Sequence, residues 1–232
     1  HSAGVSSSLS DALKRYKLEV SPNKAGRRWE EVRLDKLDND LAFSGERIGE
    51  VTVDQVAEWR DSRLKVVASP TVRREMTLLS SVFEIAKREW RWCATNPVRE
   101  VKRPSNGRPR DRRIQPDEEQ KLLARLGYVE GVKPEALQQE LAYAFLIAIE
   151  TAMRQGEILG LTRATTHLAK RYVRLDATKN GDSRNVPLSL RAVELLKLLI
   201  AAAGDRQELF RLKSGSADAM FRKVRNELEI VD

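Results

Sequence analysis

A chain of 232 residues, 33% charged and 41% hydrophobic with a formal net charge of +8, has the composition of a globular protein of one or two domains, which excludes a disordered polyelectrolyte and a membrane-embedded bundle. The positive balance favours a polyanionic partner, nucleic acid ahead of an acidic membrane surface. A single cysteine, Cys93, and two histidines exclude a disulfide framework and a Cys/His zinc cluster, and they suit a reducing, cytoplasmic setting.

Residues 1–8 carry no signal-peptide pattern and are expected to be disordered or extraneous to the fold. Residues 9–101 predict a small all-helical bundle. Ser8 or Ser10 can cap a helix over 11–19 with Leu9, Leu13 and Tyr16 on one face. Ser21-Pro22 is a second start signal, followed by a helix to about Leu41 that carries Lys24, Arg27, Arg28 and Arg33. Thr52-Val53-Asp54-Gln55 reads as a capping box, with Val56 and Trp59 inward. Ser69-Pro70 opens a fourth helix, on which Val72, Met76, Leu79, Val82, Phe83, Ala86 and Trp90 recur at helical spacing as core. Arg73 and Arg74 lie near its start, and Lys87, Arg88 and Arg91 near its end. Such charges ordinarily make a solvated face; their recurrence on several helices is what makes them candidates for phosphate contact.

Residues 102–113 predict a basic interdomain linker, with two prolines, a glycine and no apolar periodicity, and a boundary near Asn106. Its Lys102, Arg103, Arg108, Arg110, Arg112 and Arg113 are candidate DNA-binding residues, since a flexible basic tether between two basic domains can close around a duplex. Residues 114–232 predict a second, mainly helical domain. Gln115-Pro116 starts a helix with acids in its first turn, and Pro134-Glu135 starts a longer one that runs through an apolar stretch at 141–149. The run from Leu141 to Met153 is too short for a membrane span, and Glu150 interrupts it. Ser189 caps a helix to Ala203, Glu208-Leu209-Phe210 is a short strand or turn, and residues 216–228 form a last amphipathic helix.

The second domain is organised around Thr151-Ala152-Met153-Arg154-Gln155-Gly156-Glu157 at the end of the apolar helix. A buried helix is a rigid platform, so Arg154 is held in place, with a planar fork of donors suited to phosphate oxygens. Glu157 can hold Arg154 from behind or stabilise a helix start. Read alone, this stretch is equally a helix–turn–helix corner with a surface Arg–Glu pair. Some two dozen residues on, within 171–188, Asn180-Gly181 between two strand-like runs is a hairpin signal, with Lys179 at the turn edge; Arg184 is a further DNA-binding candidate.

An apolar helix ending in Arg-x-x-Glu, followed by a lysine-bearing hairpin that ends in Val186-Pro187-Leu188, resembles the tyrosine recombinases (phage integrases) over roughly residues 9–232. The resemblance implies a mainly α fold: an N-terminal core-binding, SAM-like helical bundle, then an integrase catalytic domain with a small antiparallel β-sheet. It also implies metal-free chemistry without a cofactor, a double-stranded DNA partner, and self-association on DNA as a tetrameric synapse. Arg154 becomes the phosphate-binding arginine, expected partly buried, close to Glu157 and facing a basic cleft between the domains; Lys179 becomes the general acid toward the 5′ leaving oxygen. The family's downstream His-x-x-Arg box and nucleophilic tyrosine have no match. His167 precedes the hairpin and reads as a loop or packing residue, and Tyr16, Tyr128, Tyr143 and Tyr172 all precede Lys179. Of these, Tyr16 and Tyr143 read as core, Tyr172 as a strand residue and Tyr128 as a loop. The expectation is a truncated recombinase without its nucleophile, with a non-catalytic DNA-binding protein on the same scaffold as the alternative. A helical protein-interaction module that is basic by chance is the third reading.

Overall fold

The computed structural model of the protein describes residues 7–24, 26–107, 112–176 and 183–230. The chain divides into two compact units, residues 1–110 and 111–232. The first is all-helical. Helix α1 (Leu9–Glu19) is started by Ser8, whose hydroxyl accepts from the Asp11 N–H while Asp11 accepts from the Ser8 N–H, satisfying donors that a helix start otherwise leaves open. Thr52 and Gln55 do the same for α3 (Val53–Leu64). The helix expected to follow Ser21-Pro22 divides in two: a single 3-10 turn at Ser21–Asn23, and then α2 (Arg27–Asp40). Gly26 is the residue before α2, and glycine is costly inside a helix but tolerated at its start. Helix α4 (Ser69–Ile85) continues into a π-helical turn, Ala86–Trp90, which closes on Arg91 in the left-handed region at φ 59°. Val72, Met76, Leu79, Val82, Phe83 and Ala86 are all buried, so the predicted stripe is the core against which Leu9, Leu13, Tyr16 and Val56 pack.

A short helix α5 (Pro97–Glu100) leads to residues 102–105, which are docked on this unit. Arg60 donates to the Lys102 carbonyl at 2.8 Å, Arg73 to the Pro104 carbonyl at 2.6 Å, Ser69 to the Ser105 carbonyl, and Arg103 to Thr77 Oγ1 at 3.0 Å. The first part of the predicted linker is thus a strap along α3 and α4, its backbone carbonyls satisfied by neighbouring side chains.

The second unit is built on α7 (Leu137–Thr151), in which Leu141, Ala142, Tyr143, Ala144, Leu146 and Ile147 are all buried. Tyr143, Leu146 and Ile147 pack with the sheet and α9 (Leu190–Ala203), whereas Leu141 and Ala142 pack with α6 (Pro116–Arg125) and α10 (Ser214–Glu227). Helix α7 begins three residues later than Pro134 because Gln139 Oε1 accepts from the N–H groups of Glu135 and Ala136, fixing the start there. The sheet is antiparallel in the order β1 (Thr166–His167), β2 (Tyr172–Leu175), β3 (Arg184–Pro187). Val173 pairs with Val186 and Leu175 with Arg184, so residues 176–183 link the strands. Asn180-Gly181, expected as the turn, lies outside the described residues. Mainly helical with one small antiparallel sheet, the fold is the one expected. Among the described residues, no helix is long and apolar enough to cross a membrane.

Candidate active site

Helix α7 ends at Ala152, which takes the left-handed conformation at φ 52° and ψ 23°. The Ala152 N–H still bonds to the Ala148 carbonyl at 2.9 Å, and Thr151 Oγ1 donates to the Ile147 carbonyl and accepts from the Met153 N–H. A left-handed residue reverses the chain direction sharply. Met153 then plugs into the core, and Arg154 emerges as the residue preceding the short helix α8 (Gln155–Leu159).

Glu157, in the first turn of α8, is the hub of the site. Its Oε2 accepts from the Arg154 N–H at 2.9 Å and its Oε1 from Arg154 Nη1 at 3.0 Å. Oε2 also accepts from Nη2 of Arg184 on β3 at 2.8 Å. Burial pushes the Glu157 carboxyl up, but the Arg154 N–H and guanidinium bonds and the Arg184 and Arg154 charges outweigh it and hold the group below its ordinary value. Two guanidiniums on one carboxylate leave a net positive site at the surface. Arg154 is more exposed than expected: its side chain is 56% exposed, against 11% for Glu157. A cavity of about 320 Å³ lies against Glu157, walled by Gly156, Thr165 and the Arg174–Asp176 ion pair of 2.6 Å.

Arg184, a DNA-binding candidate by sequence, is bonded to Glu157. The signal was present in the strand period: Val186 faces the core, so Arg184, two residues back, lies on that same face. Lys179 lies outside the described residues, as do Arg108 and Arg110. Of the other basic candidates, Arg73 and Arg103 are bonded to residues of the first unit, and Arg112 is paired with Glu118. Arg74, Lys102 and Arg113 are exposed, and their charged groups have no partner among the described residues.

None of the tyrosines is poised beside Arg154. The buried Tyr16 hydroxyl accepts from Lys24 Nζ at 2.7 Å. Tyr143, also buried, donates to the Val132 carbonyl, and burial with Tyr128 nearby pushes its phenol up to about 12. Tyr128 lies edge-on to Tyr143 with ring centroids 5.4 Å apart, and Tyr172 packs on His167 at 4.6 Å, which makes that histidine a packing residue between strands.

The sequence pattern of the phage integrase family matches residues 112–231. A Haemophilus influenzae protein named as an integrase/recombinase is 34% identical over 221 residues, covering 95% of this chain and 72% of the relative. A shufflon-specific DNA recombinase of Escherichia coli is 38% identical over 200 residues, covering 83% of this chain and 50% of the relative. Among solved structures, a lambda integrase dimer bound to a COC′ core site is similar with a TM-score of 0.76 at 17% identity, covering 99% of this chain and 66% of that one.

Proposed function

Because the chain belongs to the phage integrase family, we propose that the protein it represents is a site-specific DNA recombinase that cleaves and rejoins strands through a 3′-phosphotyrosyl intermediate. The observation that carries this reading is the presentation of Arg154. Its guanidinium is anchored by one N–H to Glu157, and its Nε and Nη2 have no partner among the described residues. That open edge matches two phosphate oxygens, and charge stabilisation around the phosphate is the main demand of phosphoryl transfer. In this reading Arg154 binds the non-bridging oxygens and Lys179 protonates the 5′ leaving oxygen.

Duplex DNA is held mainly through phosphates, with Arg74, Lys102 and Arg113 as the first contacts because no internal carboxylate competes for them. A recombinase name among the relatives and a DNA-bound dimer among the structural neighbours support a DNA partner and self-association on DNA; a tetrameric synapse is the proposed working form. Fluorescence anisotropy with a labelled duplex tests the binding. The logarithm of the affinity should fall linearly with that of salt, with a slope of about −0.9 per phosphate neutralised. Binding that is independent of salt, or absent at low salt, overturns it.

A second reading is a DNA-binding protein without cleavage activity on this scaffold. Tyr16 and Tyr143 are buried and bonded, so neither is available to a phosphate. Both readings expect this chain alone to form no covalent adduct with a nicked recombination-site substrate on a denaturing gel. A covalent band mapped to one of the four tyrosines would show the catalytic set to be misplaced.

A further inference from the structure

We infer that Arg184 is a positioning residue for Arg154, acting through Glu157. It occupies the second carboxylate oxygen, so that Arg154 commits a single guanidinium N–H to the protein and keeps its Nε/Nη2 edge open for phosphate. The inference rests on the reading above, in which a DNA phosphate reaches Arg154.

A carboxylate facing one guanidinium tends to take it fork to fork, two parallel N–H···O bonds on one edge. A side-on fork at Glu157, through Nε and Nη2, would consume the edge of Arg154 that phosphate needs. The structure shows a different one. Oε1 takes Arg154 Nη1 at 3.0 Å, while Oε2 already accepts from the Arg154 backbone N–H at 2.9 Å and from Arg184 Nη2 at 2.8 Å. Both lone pairs of Oε2 are therefore engaged, and Arg184 holds the one that a fork with the Arg154 side chain would need. The sheet explains why Arg184 is there. The Val173–Val186 rung faces the core, and Leu175 and Arg184 form the last rung of the same face. A core-facing position at the end of the ladder meets the edge of the core, where Glu157 on α8 is the available neighbour. Arg184 also terminates the connection, residues 176–183, that contains Lys179. One carboxylate thus ties the strand next to Lys179 to the helix that presents Arg154.

The test is duplex-DNA affinity at low salt for the 232-residue chain and its Arg184→Gln, Arg184→Lys, Glu157→Gln, Arg154→Gln and Arg184→Gln/Glu157→Gln variants. Arg184→Gln should weaken binding by about tenfold, the scale of one charge-assisted hydrogen bond. Arg184→Lys should recover most of that loss, since Lys keeps the charge that occupies Oε2. With Glu157 already replaced by Gln, the further Arg184→Gln change should cost less than about twofold, because no carboxylate remains to capture Arg154. An equal loss in both backgrounds makes Arg184 an independent phosphate contact and overturns the inference. Unchanged binding by Arg154→Gln instead overturns the reading beneath it. Nε–H signals of the unmutated chain give a check free of mutation. Duplex should protect Arg154 Nε–H from exchange with water and leave Arg184 Nε–H as it was; protection of both overturns the positioning role.

Discussion

Glu75 in the first unit and Glu157 in the second are each gripped by two arginines, and the two clusters differ in what their arginines have left to give. In the first unit Glu75 is 2% exposed. Arg63 takes it fork to fork through Nε at 2.8 Å and Nη2 at 3.0 Å, and Arg33 adds Nη1 at 3.0 Å. The Arg63 side chain is 11% exposed, so its charge is turned inward and α2, α3 and α4 are pinned together. In the second unit Glu157 is nearly as covered, but Arg154 and Arg184 are 56% and 42% exposed, and each gives the carboxylate one side-chain N–H. The same three residue types make a strut in one place and a presented cation in the other. Burial of the donors, and fork versus single-bond geometry, decide which.

The largest test of this contrast is Glu75→Gln. Removing one partner of a buried cluster leaves two desolvated guanidiniums short of charge, so the urea transition of the first unit should lose about 3–5 kcal/mol. Glu157→Gln, with its arginines in water, should cost about 1 kcal/mol or less in the second unit. Equal losses would break the distinction. A smaller effect is expected with pH. The Glu157 carboxyl is held below its ordinary 4.5, so its contribution is fully present above the unfolded value, about 4.3. That contribution is lost as pH falls through the folded midpoint. A side-chain NMR titration should place the midpoint below 4.5, and Arg184→Gln should move it upward; a midpoint unmoved by that change would detach Arg184 from the carboxylate. The smallest effect sharpens a second difference: the Glu75 cluster stands on regular helices, while Arg154 follows a left-handed alanine. Ala152→Gly should remove that strain and stabilise the second unit by roughly 0.5–1 kcal/mol in urea. Ala152 is exposed, so no packing is lost.

Signals carried by neighbouring residues were legible in the sequence. Ser8 with Asp11 and Thr52 with Gln55 marked helix starts, and the Val72-to-Ala86 stripe marked a core, because capping and helical period act within a few residues. The family was legible from Arg154, Glu157 and the strand ending in Val186-Pro187-Leu188. Properties set by distant partners were not. The strap at 102–105 looked like a solvated tether because its anchors, Arg60, Ser69, Arg73 and Thr77, are remote in sequence. Arg184 looked like one more basic residue because its partner lies on α8. The exposure of Arg154 depends on what packs over it, which no residue near it in sequence announces.

The β2–β3 register also bears on how such a protein can change over generations. Val173 opposite Val186, and the Leu188 N–H bonded to the Arg171 carbonyl at 2.9 Å, lock the ladder from its far end. Those anchors fix which face Arg184 takes without reference to the number of residues between the strands. Length changes in the connection away from Lys179, which loops tolerate well, therefore leave Arg184 on its face. The register itself has no such latitude: a shift of one residue would turn Arg184 to the opposite face.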